Sequence, residues 1–397
     1  MNNQDRILQV NVERGGGKIT DLEQREILQV NLDGSGGAFA LVYEIQKKIW
    51  KNYGNQMIFS YYCMGEFANG ETADDIERMG GHIEEGKLRK NRWFGHILLP
   101  FYFYKYCKST KAAIVHIHGD TAFKLFIYAY PAKLAGKYVL VHSHSSGING
   151  KAKHIKMLLH LLCKPLLPLA VDGYLTCSQK ATKWMYYKPT QSKVVWLKNG
   201  VDTKRFCFNE EERRVQRQRL NLGKDDYAIV VVGDLSIPKN PYFICDVMKK
   251  LCVTKSHIRL FFCGDGAERE GVEKYVERLE LGNKVVFLGK QRMDRVLNGM
   301  DLFVMPSRFE GLPISGIEAQ ANGLTCIFSD RIAKDVAIIP QTYFTSIDSV
   351  DAWCETIEKV MLLDIDRALI YKLVNDAGFD IEASAKNLFK YYESLGD

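Results

Sequence analysis

The sequence predicts an α/β protein of two successive domains, each a doubly wound parallel sheet covered by helices on both faces. Short apolar runs typical of buried parallel strands alternate with helical segments along the whole chain. The 397 residues also exceed the roughly 100 to 200 that one domain usually takes. A charged run, NEEERRVQRQR, predicts an exposed helix within 201–225, where we place the join between the two halves.

The first half opens with a strand at 27–32, a glycine turn at 33–37 and a helix at 38–53 with regular apolar spacing. Further strands are predicted at 57–62, 113–118, 138–142 and 173–177. Helical segments lie between several of them. This βα alternation predicts a parallel sheet.

The second half repeats the pattern, and a last helix is predicted at 384–395. Its strands are expected at 228–232, 259–263, 284–288, 302–305 and 325–328.

One local repeat precedes the first strand. ILQVNVERGGG at 7–17 is echoed by ILQVNLDGSGG at 27–37, with identity at seven of eleven positions. The second copy is followed by an amphipathic helix, so we assign it to the sheet. The first copy is either an added strand or a duplicated extension that packs poorly.

Composition is that of an ordinary soluble protein, with 46% hydrophobic and 25% charged residues. No apolar run reaches the roughly 18 to 20 residues of a spanning helix, and the N-terminus lacks the apolar core of a signal peptide. We therefore expect a cytoplasmic protein. Ten scattered cysteines without a CxxC pair indicate reduced core residues rather than metal ligands or disulfides.

Positive charge is concentrated between residues 87 and 200, which hold 19 Lys and Arg and only two acidic residues. Within this region, KAKHIKMLLHLLCKPLLPLAV at 151–171 joins a basic start to an apolar helix of about four turns. Such a segment suits an anionic membrane surface or a phosphorylated lipid acceptor. The alternative is a core helix with a solvated basic end. No nucleic-acid-binding motif is present, so we expect no nucleic-acid partner.

The segment SRFEGLPISGIEAQANG at 307–323 is the most informative stretch of the chain. It places Glu310 in a loop after a buried strand and Glu318 about one turn inside a helix at 315–322 that Gly323 caps. The amides at the start of that helix favour a phosphate. Two acceptor-only carboxylates beside a bound anion are suited to hold hydroxyls, one on a sugar and one on a ribose. The segment therefore indicates a nucleotide sugar.

These residues resemble a known family. EGLPISGIEAQANGLTCI is similar to the signature of the retaining GT-B glycosyltransferases of the glycogen synthase-like group, glycosyltransferase family 4. The resemblance is strongest to enzymes of bacterial exopolysaccharide and capsule biosynthesis. It extends to the segments ILQVNLDGSGGAFALV, VHSHSSG, VVWLKNGVD, VVVGDLSIPKN, LFFCGDGAERE and VVFLG.

The resemblance implies two Rossmann-like domains that face each other across a cleft. Residues 1–25 would be an N-terminal extension or duplicated strand, 26–200 the acceptor-side domain and 201–383 the nucleotide-sugar-binding domain. Residues 384–397 would form a helix that returns to the first domain.

The first half supplies two candidate site elements. Gly36 and Gly37 lie at a strand-to-helix turn where a glycine pair lets the backbone approach a ligand, although a plain tight turn explains them equally well. His144 follows a strand end, and the matching histidine of the family faces the reaction centre. We favour it over His142. His116 and His118, on the preceding strand, are expected to have structural or supporting roles.

The second half supplies the donor site. A single ammonium at Lys239 can neutralise a diphosphate, as the family's matching lysine does. Where the family usually has an arginine, this chain has Asp234, which removes one cation from the leaving group. The predicted catalytic residues are His144 and Glu310, and the predicted donor-binding residues are Gly36, Gly37, Lys239, Gly311, Leu312, Pro313, Ile314, Ser315 and Glu318.

The family transfers sugars with retention of configuration, by front-face substitution assisted by the diphosphate. No Asp-x-Asp pair stands at a plausible strand end, so we expect neither a metal nor another cofactor. We predict transfer from a nucleotide sugar, UDP-linked, to a lipid-linked oligosaccharide at the inner face of an anionic membrane. The alternatives are a GT-B UDP-sugar epimerase or hydrolase and a non-catalytic nucleotide-sugar binder.

Overall fold

The chain forms two compact α/β units in a computed structural model that describes residues 25–86, 92–148 and 152–395. The first unit runs to Gly200 and resumes at Ile381, and the second unit comprises Val201–Asp380. Every strand pairing in the two sheets is parallel.

The first unit contains a seven-stranded sheet in the order β3-β2-β1-β4-β5-β6-β7. Its strands are β1 Arg25–Val30, β2 Met57–Cys63, β3 Ile83–Glu85, β4 Ile114–Gly119, β5 Tyr138–Ser143, β6 Gly173–Thr176 and β7 Val194–Trp196. Its helices include α1 Gly36–Tyr53, α2 Gly70–Arg78, α3 Arg92–Ser109, α4 Ala122–Leu134, α5 Lys153–Cys163 and α6 Gln179–Met185. The strand order reverses between β1 and β4, and such a switch point is where open α/β sheets bind ligands.

The second unit contains a six-stranded sheet in the order β10-β9-β8-β11-β12-β13, with its switch point between β8 and β11. Its strands are β8 Tyr227–Val232, β9 Ile258–Cys263, β10 Val285–Gly289, β11 Leu302–Met305, β12 Thr325–Ser329 and β13 Thr342–Thr345. Its helices are α7 Thr203–Phe206, α8 Glu210–Arg219, α9 Pro241–Thr254, α10 Arg269–Arg278, α11 Met293–Val296, α12 Ile314–Ala321, α13 Val350–Val360 and α14 Ile370–Val374.

The last helix, α15 Ile381–Ser394, packs on α1 within the first unit. Phe389 stacks on Tyr53 with ring centroids 3.7 Å apart. Arg25 at the start of β1 donates to the carbonyl oxygen of Tyr392 over 2.9 Å. This helix therefore closes part of the core of the first unit.

Two predictions about elements need correction. The helix expected over 151–171 ends at Cys163 and continues as a 3₁₀ turn, Lys164–Leu169, which contains two prolines that cannot donate in a helix. The alternative of a core helix is also wrong, because His160 is the only buried residue of α5. Residues 7–17, the first copy of the repeat, lie outside the described residues.

All ten cysteines have free thiols, and seven of them are buried. In the described part of the chain, no helix combines the length and the apolar character needed to cross a bilayer.

Candidate active site

The switch point of the second sheet brings two predicted site residues together. Lys239 ends the loop after β8, and Glu310 lies in the loop after β11, the strand that pairs with β8. Their side chains form an ion pair of 2.6 Å between Nζ and Oε1, and both are largely buried. Lys239, which we expect to bind the diphosphate, thus contacts Glu310, which we expect to bind a sugar hydroxyl.

The loop that follows Glu310 leads directly into α12. Gly311, Leu312 and Pro313 are buried, whereas Ile314 and Ser315 in the first turn are partly exposed. The hydroxyl of Ser315 points back to the end of β8, where it donates to the carbonyl oxygen of Val232 over 3.5 Å. Because an α-helix leaves its first amides without intrahelical partners, this turn offers donors to an anion near Lys239.

Glu318 lies one turn inside α12, as expected from the sequence. Burial raises its pKa from 4.5 to about 7, Arg205 acts in the opposite direction, and the nearby Asp294 adds to the rise. Asp294 itself is engaged by Arg205 and by Arg292, the latter at 2.7 Å. Among the described residues, no cation forms an ion pair with Glu318 as Lys239 does with Glu310. Hydroxyl donors from a ligand would therefore stabilise the charged form of Glu318.

Arg308 is a candidate that the sequence analysis missed. Its amide donates to the carbonyl oxygen of Pro238 over 2.7 Å, and its guanidinium donates to Oδ1 of Asn240 over 3.2 Å. This places a second cation beside the loop that carries Lys239. Asp234 is exposed in the same loop. The only sequence signal for Arg308 was its position two residues before Glu310.

The glycine turn of the first unit follows β1 at the other switch point. Gly36 opens α1 with φ +78°, a conformation that residues with a side chain rarely adopt, and a Cβ there would meet no atom within 4 Å. Gly37, also exposed, follows in the first turn of α1. Gly34 instead packs closely, since its Cβ would lie 3.0 Å from the ring of Phe67. The predicted pair thus lies at an open helix start, and Gly34 accounts for the tight turn.

His144 lies just beyond β5 and is half-buried. Its Nε2 is 2.8 Å from Nδ1 of His118, and its backbone amide donates to Gly119 at the end of β4. Burial lowers the pKa of His144 to about 4. His142, by contrast, is fully buried in the sheet face. This geometry favours His144 over His142 as the residue able to reach a ligand.

The predicted site residues thus fall into two groups. Gly36, Gly37 and His144 lie at the carboxyl ends of strands in the first sheet. Lys239, Glu310, Glu318 and the start of α12 lie at the corresponding edge of the second. Each group lies where a doubly wound sheet binds ligands.

The second group lies within a segment that matches a known family model. Residues 212–372 match the family model described as "Glycosyl transferases group 1". The chain is 28% identical over 287 residues to the putative glycosyltransferase EpsF of Bacillus subtilis (strain 168), an alignment that covers 70% of this chain and 74% of EpsF. It is 28% identical over 238 residues to the UDP-Gal:alpha-D-GlcNAc-diphosphoundecaprenol alpha-1,3-galactosyltransferase of Escherichia coli, covering 57% of this chain and 60% of that enzyme.

Solved structures show the same fold over nearly the whole chain. Anabaena Alr3699/HepE in complex with UDP and glucose is similar with a TM-score of 0.75 at 16% identity, covering 94% of this chain and all of HepE. The lipopolysaccharide outer core galactosyltransferase WaaB, in its apo form, has a TM-score of 0.67 at 16% identity, covering 93% of this chain and 99% of WaaB. The predicted fold class, two Rossmann-like doubly wound domains of the GT-B type, is confirmed. Residues 212–372, all within the second unit, therefore carry a glycosyltransferase group 1 domain.

Proposed function

We propose that this protein is a retaining glycosyltransferase that moves a sugar from a UDP-linked donor to a lipid-linked saccharide acceptor during surface polysaccharide synthesis. The observation that carries the proposal is the pairing of Lys239 with Glu310 beside the start of α12. The group 1 domain covers these residues. Relatives support the substrates, since HepE was solved with UDP and the E. coli enzyme is named for a UDP-galactose donor and a diphosphoundecaprenol acceptor.

Donor chemistry follows from these positions. As the sugar–phosphate bond breaks, negative charge grows on the diphosphate while the sugar becomes oxocarbenium-like. Lys239 and the first amides of α12 stabilise the leaving phosphates, and Arg308 compensates for the cation that Asp234 does not provide. Transfer then needs no divalent ion.

Two carboxylates divide the remaining contacts with the donor. Glu310 accepts from sugar hydroxyls once the diphosphate has drawn Lys239 toward itself. Glu318 accepts from the ribose. His144 lies at the acceptor-side sheet, where a half-buried neutral imidazole can bond a sugar hydroxyl.

We also propose that the first unit binds the inner membrane surface through α3 and α5. Helix α5 exposes Ile155, Leu158, Leu161 and Leu162, each by 52–58%. Helix α3 exposes Ile97 by 72% and Phe101 by 56%. Apolar side chains on helices are seldom left in water in such numbers unless a partner covers them.

The charge of the same helices favours an anionic lipid surface as that partner. Exposed lysines accompany the apolar residues on both helices, namely Lys105 and Lys108 on α3 and Lys153 and Lys156 on α5. Helix α4 packs against both α3 and α5, so the three helices are neighbours. Basic residues beside exposed leucines are typical of helices that lie in a membrane interface.

The donor assignment is tested by incubating the purified protein with a panel of nucleotide sugars. Slow hydrolysis of one UDP-sugar, with release of UDP, is expected in the absence of acceptor. The Lys239→Ala variant, which lacks the ammonium, serves as the control once circular dichroism shows that it is folded, and it should release little UDP. Absence of both hydrolysis and binding for every UDP-sugar would reject a UDP-linked donor.

A further inference from the structure

Four histidines converge on one face of the first sheet. His116 and His118 are two positions apart on β4, so their side chains point to the same face. His142 lies opposite His118 in the parallel register of β4 and β5. His144 follows two positions later. The two H-x-H pairs therefore meet side by side.

The three sheet histidines are almost completely excluded from solvent. His116 and His142 are each 1% exposed, and His118 is 2% exposed. The ring centroids of His116 and His118 lie 4.2 Å apart, and those of His116 and His142 lie 5.5 Å apart. One ring nitrogen from each of the three lies within 4.8 Å of the other two.

Several of these nitrogens have no partner. Among the described residues, neither ring nitrogen of His142 forms a hydrogen bond, and neither does Nε2 of His116. A buried polar group left unsatisfied costs about 1 to 3 kcal/mol. A neutral imidazole has one lone pair and one N–H, so one nitrogen of His142 and Nε2 of His116 can each serve a ligand that accepts lone pairs.

Other side chains hold the rings in place. Tyr392 of α15 bonds Nδ1 of His116 at 2.6 Å, and Nε2 is the nitrogen of that ring without a hydrogen-bond partner among the described residues. Gln29 of β1 bonds Nε2 of His118 at 2.7 Å through Oε1, an oxygen that can only accept. Metal-bound histidines in proteins are usually oriented by a second hydrogen bond of this kind.

The protonation state of the three imidazoles is compatible with binding of a metal cation. Burial lowers the pKa of His116 to about 3 and lowers the pKa of His118 and His142 well below the ordinary value. The imidazoles are therefore neutral near pH 7, the form in which histidine coordinates metals.

We propose that His116, His118 and His142 form a binding site for a borderline-soft divalent transition ion such as Zn²⁺. Three imidazoles suit Zn²⁺, Cu²⁺ or Ni²⁺ and not Mg²⁺ or Ca²⁺, which prefer oxygen. Small rotations of the rings bring the nitrogens to the roughly 3.4 Å separation of a tetrahedral zinc site.

Binding would change the contacts of His118. Both of its ring nitrogens are now engaged, by Gln29 and by His144, so the ion takes the place of one of these hydrogen bonds. The fourth coordination position stays open to water or to the nearby His144, whose ring centroid is 4.0 Å from that of His142.

Equilibrium dialysis of the full chain without a polyhistidine tag tests the proposal, with zinc counted by elemental analysis after prior removal of metals. One zinc per chain is expected. The His142→Phe variant, which keeps a ring in the core, should weaken zinc binding by more than the 10- to 100-fold that loss of an outer hydrogen-bond partner causes. The matched control is His154→Asn, since His154 is exposed on α5 and outside the cluster.

Cobalt provides a readout on the unaltered protein, independent of the variant's folding. Co²⁺ bound by three imidazoles in a four-coordinate site gives visible d–d absorption, which stoichiometric zinc should abolish. Failure of the unaltered protein to bind zinc and to give this absorption would overturn the proposal. So would equal zinc affinity of a folded His142→Phe variant and of the His154→Asn control.

Discussion

At the scale of single residues, Glu310 is expected to act on the sugar and not on the nucleotide. The Glu310→Gln variant should lose most turnover while UDP affinity changes little, because the amide keeps the size of the side chain but not its charge. Initial rates and UDP titrations measure the two effects separately. An equal loss of UDP affinity would contradict the assignment.

Glu318 should show the opposite pattern. The Glu318→Ala variant should weaken UDP binding by about 1 to 3 kcal/mol, the usual range for an unmade hydrogen bond to a charged group. Calorimetric titration with UDP measures this directly, with Glu310→Gln as the comparison. Unchanged affinity would place Glu318 outside the nucleotide site.

The raised pKa of Glu318 also predicts a pH dependence of stability. Between pH 4.5 and about 7, the folded carboxyl holds a proton that the unfolded chain has lost, so the free energy of unfolding should fall as pH rises. Two charged groups act on this carboxyl in opposite directions: Arg205 lowers its pKa and Asp294 raises it. Because Glu318 is partly exposed, we expect a loss of about 1 to 2 kcal/mol, less than the full shift implies.

Urea unfolding of the ligand-free protein at pH 5 and pH 8 measures this effect against the Glu318→Gln variant. The variant cannot ionise at this position, so its stability should change less over the same interval. Parallel pH profiles for both proteins would show that Glu318 does not titrate in this range.

At the scale of elements, α5 is predicted to bind anionic membranes. Binding to anionic vesicles should weaken with salt, because the reach of surface charge shortens to roughly 8 Å at physiological ionic strength. Reversing Lys153 and Lys156 to Glu should weaken it further and leave UDP affinity unchanged. Reversing the exposed Lys224 and Lys372 of the second unit gives the same net charge as a control.

Vesicle sedimentation separates the possible outcomes. If the α5 variant loses binding to anionic vesicles and the control variant does not, the result supports a membrane-binding face on α5. Equal binding to neutral and anionic vesicles, or no binding to either, would assign the exposed leucines to a protein partner instead.

The sequence predicted elements well where burial was continuous. Strands such as β11, Leu302–Met305, are uniformly apolar and buried, so their pattern identifies them. Strands β3, β7 and β13 were missed because they have only three or four residues each and mixed or partial burial. The choice between a surface helix and a core helix for α5 stayed open for a related reason, since apolar residues do not by themselves show whether another element covers them.

The sequence predicted the individual residues of the candidate site but not the contacts between them. Local motifs located Glu310, Glu318 and Lys239, but the ion pair between Lys239 and Glu310 depends on β8 lying beside β11, which no local pattern reveals. The histidine cluster likewise depends on the register of β4 and β5. Two H-x-H pairs at strand ends were the signal that could have indicated it.

At the scale of the whole molecule, transfer is predicted to be independent of hard divalent ions. Activity should persist in excess EDTA, because Lys239 and the amides of α12 stabilise the leaving diphosphate. Rates with and without chelator, and after addition of Mg²⁺ or Mn²⁺, provide the measurement. Abolition by EDTA with rescue by Mg²⁺ or Mn²⁺ would reveal a metal site at the diphosphate.

The path of the chain has a consequence for biosynthesis. The second unit is one continuous stretch, whereas the first unit is complete only when α15 has been added. Tyr392 of α15 is fully buried and bonds both Gln29 and His116. During vectorial synthesis on the ribosome, the second unit can therefore finish folding before the first, although it is translated later. Until α15 emerges, the histidine face of the first sheet lacks the hydrogen bonds and the cover that Tyr392 provides.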